Sequence, residues 1–208
     1  MISRGSILCG AAPLVFYGGA VLNPVKLALE QNPVIAAVRD PSRWEEAVAS
    51  PAKVLFLLCG DILTVRELVS SAKAGGKYPF VHMELLGGIG RDASALEFIA
   101  REVRPSGIIS TRTAQIRSAK EKGMLTVQRF FLLDSQSLDT AVETARAARP
   151  DFVELMPGIL PGLIGRLAGK LDSGIIAGGL IESKEQVLEA LSAGADNVST
   201  SREELWLL

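Results

Sequence analysis

Ala177-Gly178-Gly179-Leu180-Ile181 and Asn197-Val198-Ser199-Thr200-Ser201 are the two segments on which the reading of the fold turns. Each begins as a short apolar run, Gly174–Ala177 and then Ala195–Val198, and ends in small residues that leave backbone N–H groups open. A helical stretch from Ser183 to Ala193 separates them. This is the pattern of the last two units of a (β/α)8 barrel, where the loops after strands 7 and 8 and the start of a short extra helix form the usual phosphate site. Glycine lets the backbone approach a phosphate, hydroxyls add donors, and a helix start adds favourable dipole charge. The expected phosphate-binding residues are Gly178, Gly179, Ser199 and Thr200; the short helix is expected at Arg202 to Trp206, with Thr200 or Ser201 as its N-cap.

Upstream, from Asn32, β-rich runs alternate with helical patterns, as βα units and a parallel sheet require. Strands are expected at Val34–Val38, Val54–Leu58, Phe80–Leu85, Gly107–Ser110, Leu125–Phe130, Phe152–Leu155, Gly174–Ala177 and Asn197–Ser199. Helices are expected near Trp44–Ala49, Val65–Ala74, Ala93–Glu102, Ala114–Lys122, Leu138–Ala147, Leu160–Lys170 and Lys184–Ala193. Thr64, Thr113 and Ser183 stand where N-caps belong; Gly75, Gly123 and Gly194 stand just past helix ends. A doubly wound open sheet has the same alternation, but no Gly-x-Gly-x-x-Gly follows the first strand. The reading is α/β, a small TIM-like (β/α)8 barrel over residues 32–208, preceded by an arm at 1–31. The chain ends at Leu208, so the final outer helix must be reduced. That flank is left for a second copy, giving a homodimer, or is covered by the arm around Val25–Gln31.

With 208 residues, 48% of them hydrophobic, the chain can fill one core, near the lower size limit for this barrel. A net charge of −1 gives no global sign of nucleic-acid binding. Two cysteines and a single histidine support neither a disulfide framework nor a multi-histidine metal centre, so no metal or cofactor is expected. The stretch from Arg4 to Leu22 has the basic start and apolar run of an export signal, but Gly10, Pro13, Gly18 and Gly19 interrupt it. It is too broken to span a bilayer, and a cytoplasmic protein with no membrane partner is expected.

Polar residues at strand ends need a reason, because parallel strands buried on both faces read as apolar runs. Alternation puts Phe80, His82 and Glu84 on one face of strand 3. The same reasoning selects Arg39, Asp61, Ser110 and Arg112 after or on strands 1, 2 and 4, Gln128 on strand 5 and Glu154 on strand 6. Glu84, Gln128 and Glu154, with the backbone at Gly158, fit a polyol whose hydroxyls donate to carboxylates. His82 reads equally as a hydrogen-bonded core residue, Arg39 and Asp61 as loop residues satisfying backbone groups, and Arg112 as a cap over the barrel. No lysine ends a strand and no Ser–His or Cys–His pairing is evident, so no catalytic residue is assigned. The alternative is a lyase or isomerase acting on a small phosphorylated metabolite, with Glu84 or Glu154 as base.

Residues 101–129 concentrate basic charge in Arg101, Arg104, Arg112, Arg117, Lys120, Lys122 and Arg129 against Glu102 and Glu121. Arg117, Lys120 and Lys122 are the candidate RNA contacts there; the competing reading is a solvated helix face.

Several segments carry a family resemblance: Phe56-Leu57-Leu58-Cys59-Gly60-Asp61-Ile62, Phe80-Val81-His82-Met83-Glu84-Leu85, Gly107-Ile108-Ile109-Ser110-Thr111-Arg112 and Val127-Gln128-Arg129-Phe130-Phe131. Glu154-Leu155-Met156-Pro157-Gly158, Ala177-Gly178-Gly179-Leu180-Ile181 and Val198-Ser199-Thr200-Ser201 complete the set. Together, from about Asn32 to Trp206, they resemble the glycerol-uptake operon antiterminator family. The resemblance implies a cytoplasmic regulator that senses glycerol 3-phosphate and binds the leader mRNA of glycerol-utilisation genes, keeping a terminator hairpin from stopping transcription. It implies the phosphate on Gly178, Gly179, Ser199 and Thr200 and the hydroxyls on Glu84, Gln128 and Glu154. Glu84 stands where the family favours aspartate.

Overall fold

The apolar runs between Val34 and Thr200 close on themselves. In the computed structural model they form eight parallel strands: β1 (Val34–Val38), β2 (Val54–Leu57), β3 (Tyr78–His82), β4 (Gly107–Ser110), β5 (Leu125–Phe131), β6 (Phe152–Met156), β7 (Gly174–Gly178) and β8 (Asn197–Thr200). Each pairs with the next, and Val198↔Val34 pairs β8 with β1 to complete the barrel. The structure describes residues 15–17 and 20–208, with side chains from residue 23 onward. Outside the barrel, Val15–Tyr17 and Ala20–Leu22 pair as an antiparallel ribbon; most of the interrupted apolar stretch before it lies outside the described residues.

The helices are α1 (Pro24–Gln31), α2 (Trp44–Ala49), α3 (Val65–Ala74), α4 (Ala93–Phe98, continued by a π turn Ile99–Val103), α5 (Thr113–Glu121), α6 (Ser135–Ala148), α7 (Pro161–Leu167) and α8 (Lys184–Ser192). Asp92, Asp134 and Ser183 cap α4, α6 and α8 by accepting from backbone N–H groups one turn on. Ser183 with Gln186, and Asp134 with Ser137, complete reciprocal capping boxes.

Strand alternation divides the core in two. Ile35, Val54, Phe56, Phe80, Ile109, Val127, Phe152 and Ile176 meet on the barrel axis, with the Phe56 and Phe80 ring centroids 5.8 Å apart. The intervening Ala36, Leu55, Leu57, Val81 and Ile108 pack outward against the helices.

Three expectations change here. First, β3 starts before Pro79 and ends at His82, where Leu85 N–H turns back to His82 O at 3.2 Å. Glu84 therefore stands in a turn and not on the strand. Second, the arm around Val25–Gln31 does not cover the flank beside β8: Val25 and Leu29 enter the axis cluster, and Asn197 Nδ2 donates to Leu29 O at 3.0 Å. α1 thus plugs the end where the strands begin. Third, the terminal helix is a 3-10 turn at Glu203–Leu207, starting after Arg202 with no side-chain cap. Its Trp206, 2% exposed, packs with Ala36 and Val38 and donates from Nε1 to Thr200 O at 2.8 Å. One buried indole covers the flank that a full helix would cover.

Candidate functional site

Above the apolar axis cluster, at the end where the strands finish, the inward positions become polar. Alternation from Val127, Phe152, Asn197 and Phe80 brings Arg129, Glu154, Ser199 and His82 to the axis. Arg129 Nε donates to Glu154 Oε2 at 2.6 Å, with the side chains 7% and 1% exposed. Ser199 Oγ donates to Glu154 Oε1, also at 2.6 Å. Gly178 on β7 completes this layer by having no side chain: a Cβ there would sit 2.5 Å from Glu154 Oε1 and 2.6 Å from Ser199 Oγ. Both oxygens of Glu154 are thus occupied by the protein itself.

His82 is buried beside this ion pair. Burial first, and the Arg129 charge second, push its pKa down to about 3, so the ring is neutral at physiological pH. The folded-state pKa lies below the unfolded one, so this contribution to stability is full above about pH 6.5 and is lost as pH falls toward 3. In that window one proton costs about 1.4 kcal/mol per pH unit. His82→Gln is expected to flatten the pH dependence of unfolding free energy between about pH 6 and 4 by that slope; denaturant titrations across the range check it. Parallel curves for the two proteins would mean His82 protonates without resistance.

Beside His82, the β3–α4 loop brings in Glu84. Its Oε1 accepts from Ser110 Oγ at 2.6 Å, and its Oε2 lies 3.4 Å from His82 Nδ1. Ser110 is turned away from the axis, toward α5, where its hydroxyl also reaches Gln115 Oε1 at 2.8 Å and accepts from Arg112 N–H at 3.0 Å. Gln128 shares that outward orientation and donates from Nε2 to Thr113 Oγ1 at 3.1 Å. The sequence reading of Gln128 as an axis-facing polyol ligand therefore changes: alternation from Val127 gives the axis to its neighbour Arg129. Three buried atoms in this region lack a hydrogen-bond partner: His82 Nδ1, Glu84 Oε2 and Gln128 Oε1. A buried polar atom left unpaired costs about 1–3 kcal/mol, so the cluster favours a polar ligand.

Across the barrel, the loop after β7 presents open donors. Gly179 and Leu180 both have positive φ, 77° and 61°. Glycine adopts that region freely; for leucine it is strained, a condition that persists mainly at functional sites. Among the described residues, the backbone N–H groups of Gly179, Leu180 and Ser201 find no protein acceptor. Gly158, after β6, donates its N–H to Gly179 O at 3.1 Å and is packed so closely that a Cβ would lie 2.7 Å from Gly178 N. Thr200 differs from expectation in detail: its hydroxyl donates to Ile181 O at 2.7 Å and accepts from Arg202 N–H at 3.1 Å, bracing the loop. The open donors are backbone groups.

The remaining selected residues separate. Arg39, just past β1 and hence beside β8, is exposed, as is Arg112. Asp61 turns inward on its own loop, its Oδ1 accepting from Leu63 N–H, Thr64 N–H and Thr64 Oγ1. The basic segment does not form one continuous surface. Arg129 is buried; Lys122 and Arg101 share Glu97; Arg117 donates to Ala147 O at 3.1 Å, and Lys120 donates to Arg149 O. Sequence reasoning missed Arg129 as a site residue. The signal was its register with Val127, obscured because polar residues stand at both 128 and 129.

Comparison with known proteins adds the family. Residues 34–206 match the family described as glycerol-3-phosphate responsive antiterminator. A glycerol uptake operon antiterminator regulatory protein from Listeria monocytogenes str. 4b F2365 is 36% identical, with TM-score 0.81 over 84% of this chain and 95% of that one. A glycerol uptake operon antiterminator-related protein from Thermotoga maritima MSB8 is 32% identical, with TM-score 0.75 over 84% and 98%. The uncharacterized protein YgcP of Escherichia coli (strain K12) is 33% identical over 185 residues, 89% of this chain and 97% of its own length.

Proposed function

The chain belongs to the glycerol-3-phosphate responsive antiterminator family, and from that premise we propose that it senses glycerol 3-phosphate at the barrel mouth and binds the leader mRNA of glycerol-utilisation genes. The observation that carries this reading is the pairing of two unmet needs across one opening. On one side, Gly179, Leu180 and Ser201 offer backbone N–H groups without acceptors, a cradle suited to phosphate. On the other, His82 Nδ1 and Glu84 Oε2 lie buried 3.4 Å apart with no hydrogen bond made, a pair suited to a bridging hydroxyl group. Arg39 and Arg112 add exposed positive charge at the rim. Glu154 organises the site from beneath through Arg129 and Ser199. The reading is of a cytoplasmic regulator and not of a catalyst; no helix among the described residues is long and apolar enough to cross a membrane.

A second copy of the chain is part of the same proposal. Among the described residues, seven of the ten exposed large apolar side chains stand at the mouth, Leu63, Leu133 and Leu180 the most exposed of the seven, and such clustering marks an interaction site. Ligand-dependent dimerisation through these loops would give the two arrangements that a regulator needs, and the ligand acts only by binding one of them more tightly.

Calorimetric titration with glycerol 3-phosphate, with glycerol and inorganic phosphate as controls, tests the sensor. Binding is expected to need both halves of the molecule. Leader RNA should then bind more tightly when ligand is present, and RNA must raise ligand affinity by the same factor. Sedimentation with and without ligand reads the dimer. A folded protein that takes up no glycerol 3-phosphate, or whose RNA affinity ignores it, would sink the reading.

A further inference from the structure

Behind the near-neutral net charge, each helical run from α3 to α7 carries a basic residue in its last turn, at the face opposite the mouth: Lys73, Arg101, Lys120, Arg146 and Arg166. On that face one device occurs twice. Arg104 ends the helical run of α4 with φ 54°, and Arg149 ends α6 with φ 50°. Both are exposed non-glycine residues in the left-handed region, at the position after a helix where glycine is usual. Each carbonyl accepts from the ammonium of a lysine on the preceding helix, Lys73 of α3 for Arg104 and Lys120 of α5 for Arg149. The device therefore brings a lysine and an arginine together at each turn. Among the described residues none of these four cations pairs with a carboxylate. Partial burial and the Arg104 charge hold Lys73 below the usual lysine range.

Glycine at 104 and 149 would relieve the backbone and still cap the helices. At both points an arginine in the left-handed region stands against a lysine with no carboxylate paired to either, the kind of outlier from which a functional hypothesis starts. We propose that Lys73–Arg104 and Lys120–Arg149 are two clamps for the phosphate backbone of RNA, on the face opposite the ligand mouth. The proposal rests on the reading of the chain as an RNA-binding regulator. From Arg149 a groove continues past Arg146 to Lys26, with Asp151 and Asp172 also in its lining, so it carries three cations against two carboxylates. Among the described residues, the exposed large apolar side chains lie at the mouth, on α8 and at the C-terminus and none of them on this face, where a protein partner would use an apolar centre. The face also lacks an exposed aromatic platform among the described residues, so the contact is with phosphates and not with stacked bases.

The test compares wild type with Arg104→Gly, Arg149→Gly and their combination, and with Lys73→Gln/Lys120→Gln as a second set that leaves the turns intact. The probe is the transcribed leader upstream of the glycerol-utilisation genes, titrated at several salt concentrations. Both glycine variants should melt at or above the wild-type temperature and keep glycerol 3-phosphate affinity. They should bind the leader about tenfold more weakly or worse, and the slope of log K against log salt should fall by about 1 for each phosphate contact removed. The lysine variants should show the same loss. Unchanged RNA affinity and salt slope in both sets would overturn the clamps while the regulator reading stands. Polyglutamate displacing the leader as well as unrelated RNA of equal charge does would also overturn them, pointing to an acidic protein. A wild-type protein that binds no leader with or without ligand fails one step earlier, at the regulator reading itself.

Discussion

Glu154→Leu is expected to destabilise the barrel by about 3–5 kcal/mol, because it leaves a buried arginine without its counter-charge. In a chain of this size each kcal/mol moves Tm by roughly 2–4 °C, so melting should fall by roughly 6–20 °C. The expectation follows from the geometry at the axis. Arg129 and Glu154 are 7% and 1% exposed, Nε and Oε2 are 2.6 Å apart, and Ser199 fills the second carboxylate oxygen. Removing the carboxylate leaves a largely buried guanidinium without its counter-charge and a hydroxyl whose acceptor is gone. The paired variant Arg129→Met/Glu154→Leu removes both charges together and should recover most of the loss, since a well-packed apolar pair often matches a buried ion pair in stability. It should not recover ligand binding, because the layer would no longer hold Ser199 beneath the β7 loop. Thermal melts of both single variants and the double give the coupling energy. A single Glu154→Leu variant as stable as wild type would mean the pair is solvated in solution.

The barrel was legible because its strands are short, apolar on both faces and bounded by glycine or a cap, as at Val34–Val38 and at Ser183. β3 was displaced in the reading because Pro79 looks like a strand breaker; here it lies within the strand, and its carbonyl still accepts from Ser106 N–H at 2.8 Å. The terminal turn was misjudged in kind because Trp206 supplies, through one large side chain, the cover expected of a helical turn or of the arm. In the site, Gly178 and Gly179 were visible as small residues after a strand. The left-handed conformation of Leu180 was not, since nothing in a leucine announces it. The carboxylates were visible as anomalies in apolar runs, but the partner of Glu154 was not. Arg129 lies in a segment whose charges suggest a surface, and only the register of β5 turns it inward. Local patterns thus reached the strand ends; contacts between strands needed the closed barrel.

Gly178→Ala is expected to cost at least about 100-fold in glycerol 3-phosphate affinity. Its Cβ would meet Glu154 Oε1 at 2.5 Å and Ser199 Oγ at 2.6 Å. These atoms cannot yield as the end of a flexible side chain would, because Arg129 holds the carboxylate through its other oxygen, Oε2, and Oε1 in turn holds the Ser199 hydroxyl. The end of β7 must move instead, and it carries the N–H groups of Gly179 and Leu180. Losing two hydrogen bonds to a charged phosphate, worth about 1.5–3 kcal/mol each, corresponds to that fall or more. Overpacking should also lower stability by about 1–3 kcal/mol. Gly162, inside α7 with open space around it, supplies the opposite case. Gly162→Ala should raise Tm slightly through helix propensity, about 1 kcal/mol at most, and leave affinity unchanged. Calorimetry on the two alanine variants separates a local steric effect from a general intolerance of added carbon. Wild-type affinity in Gly178→Ala would show that the phosphate does not depend on the β7 end and would move the search to the exposed arginines at the rim, Arg39 and Arg112.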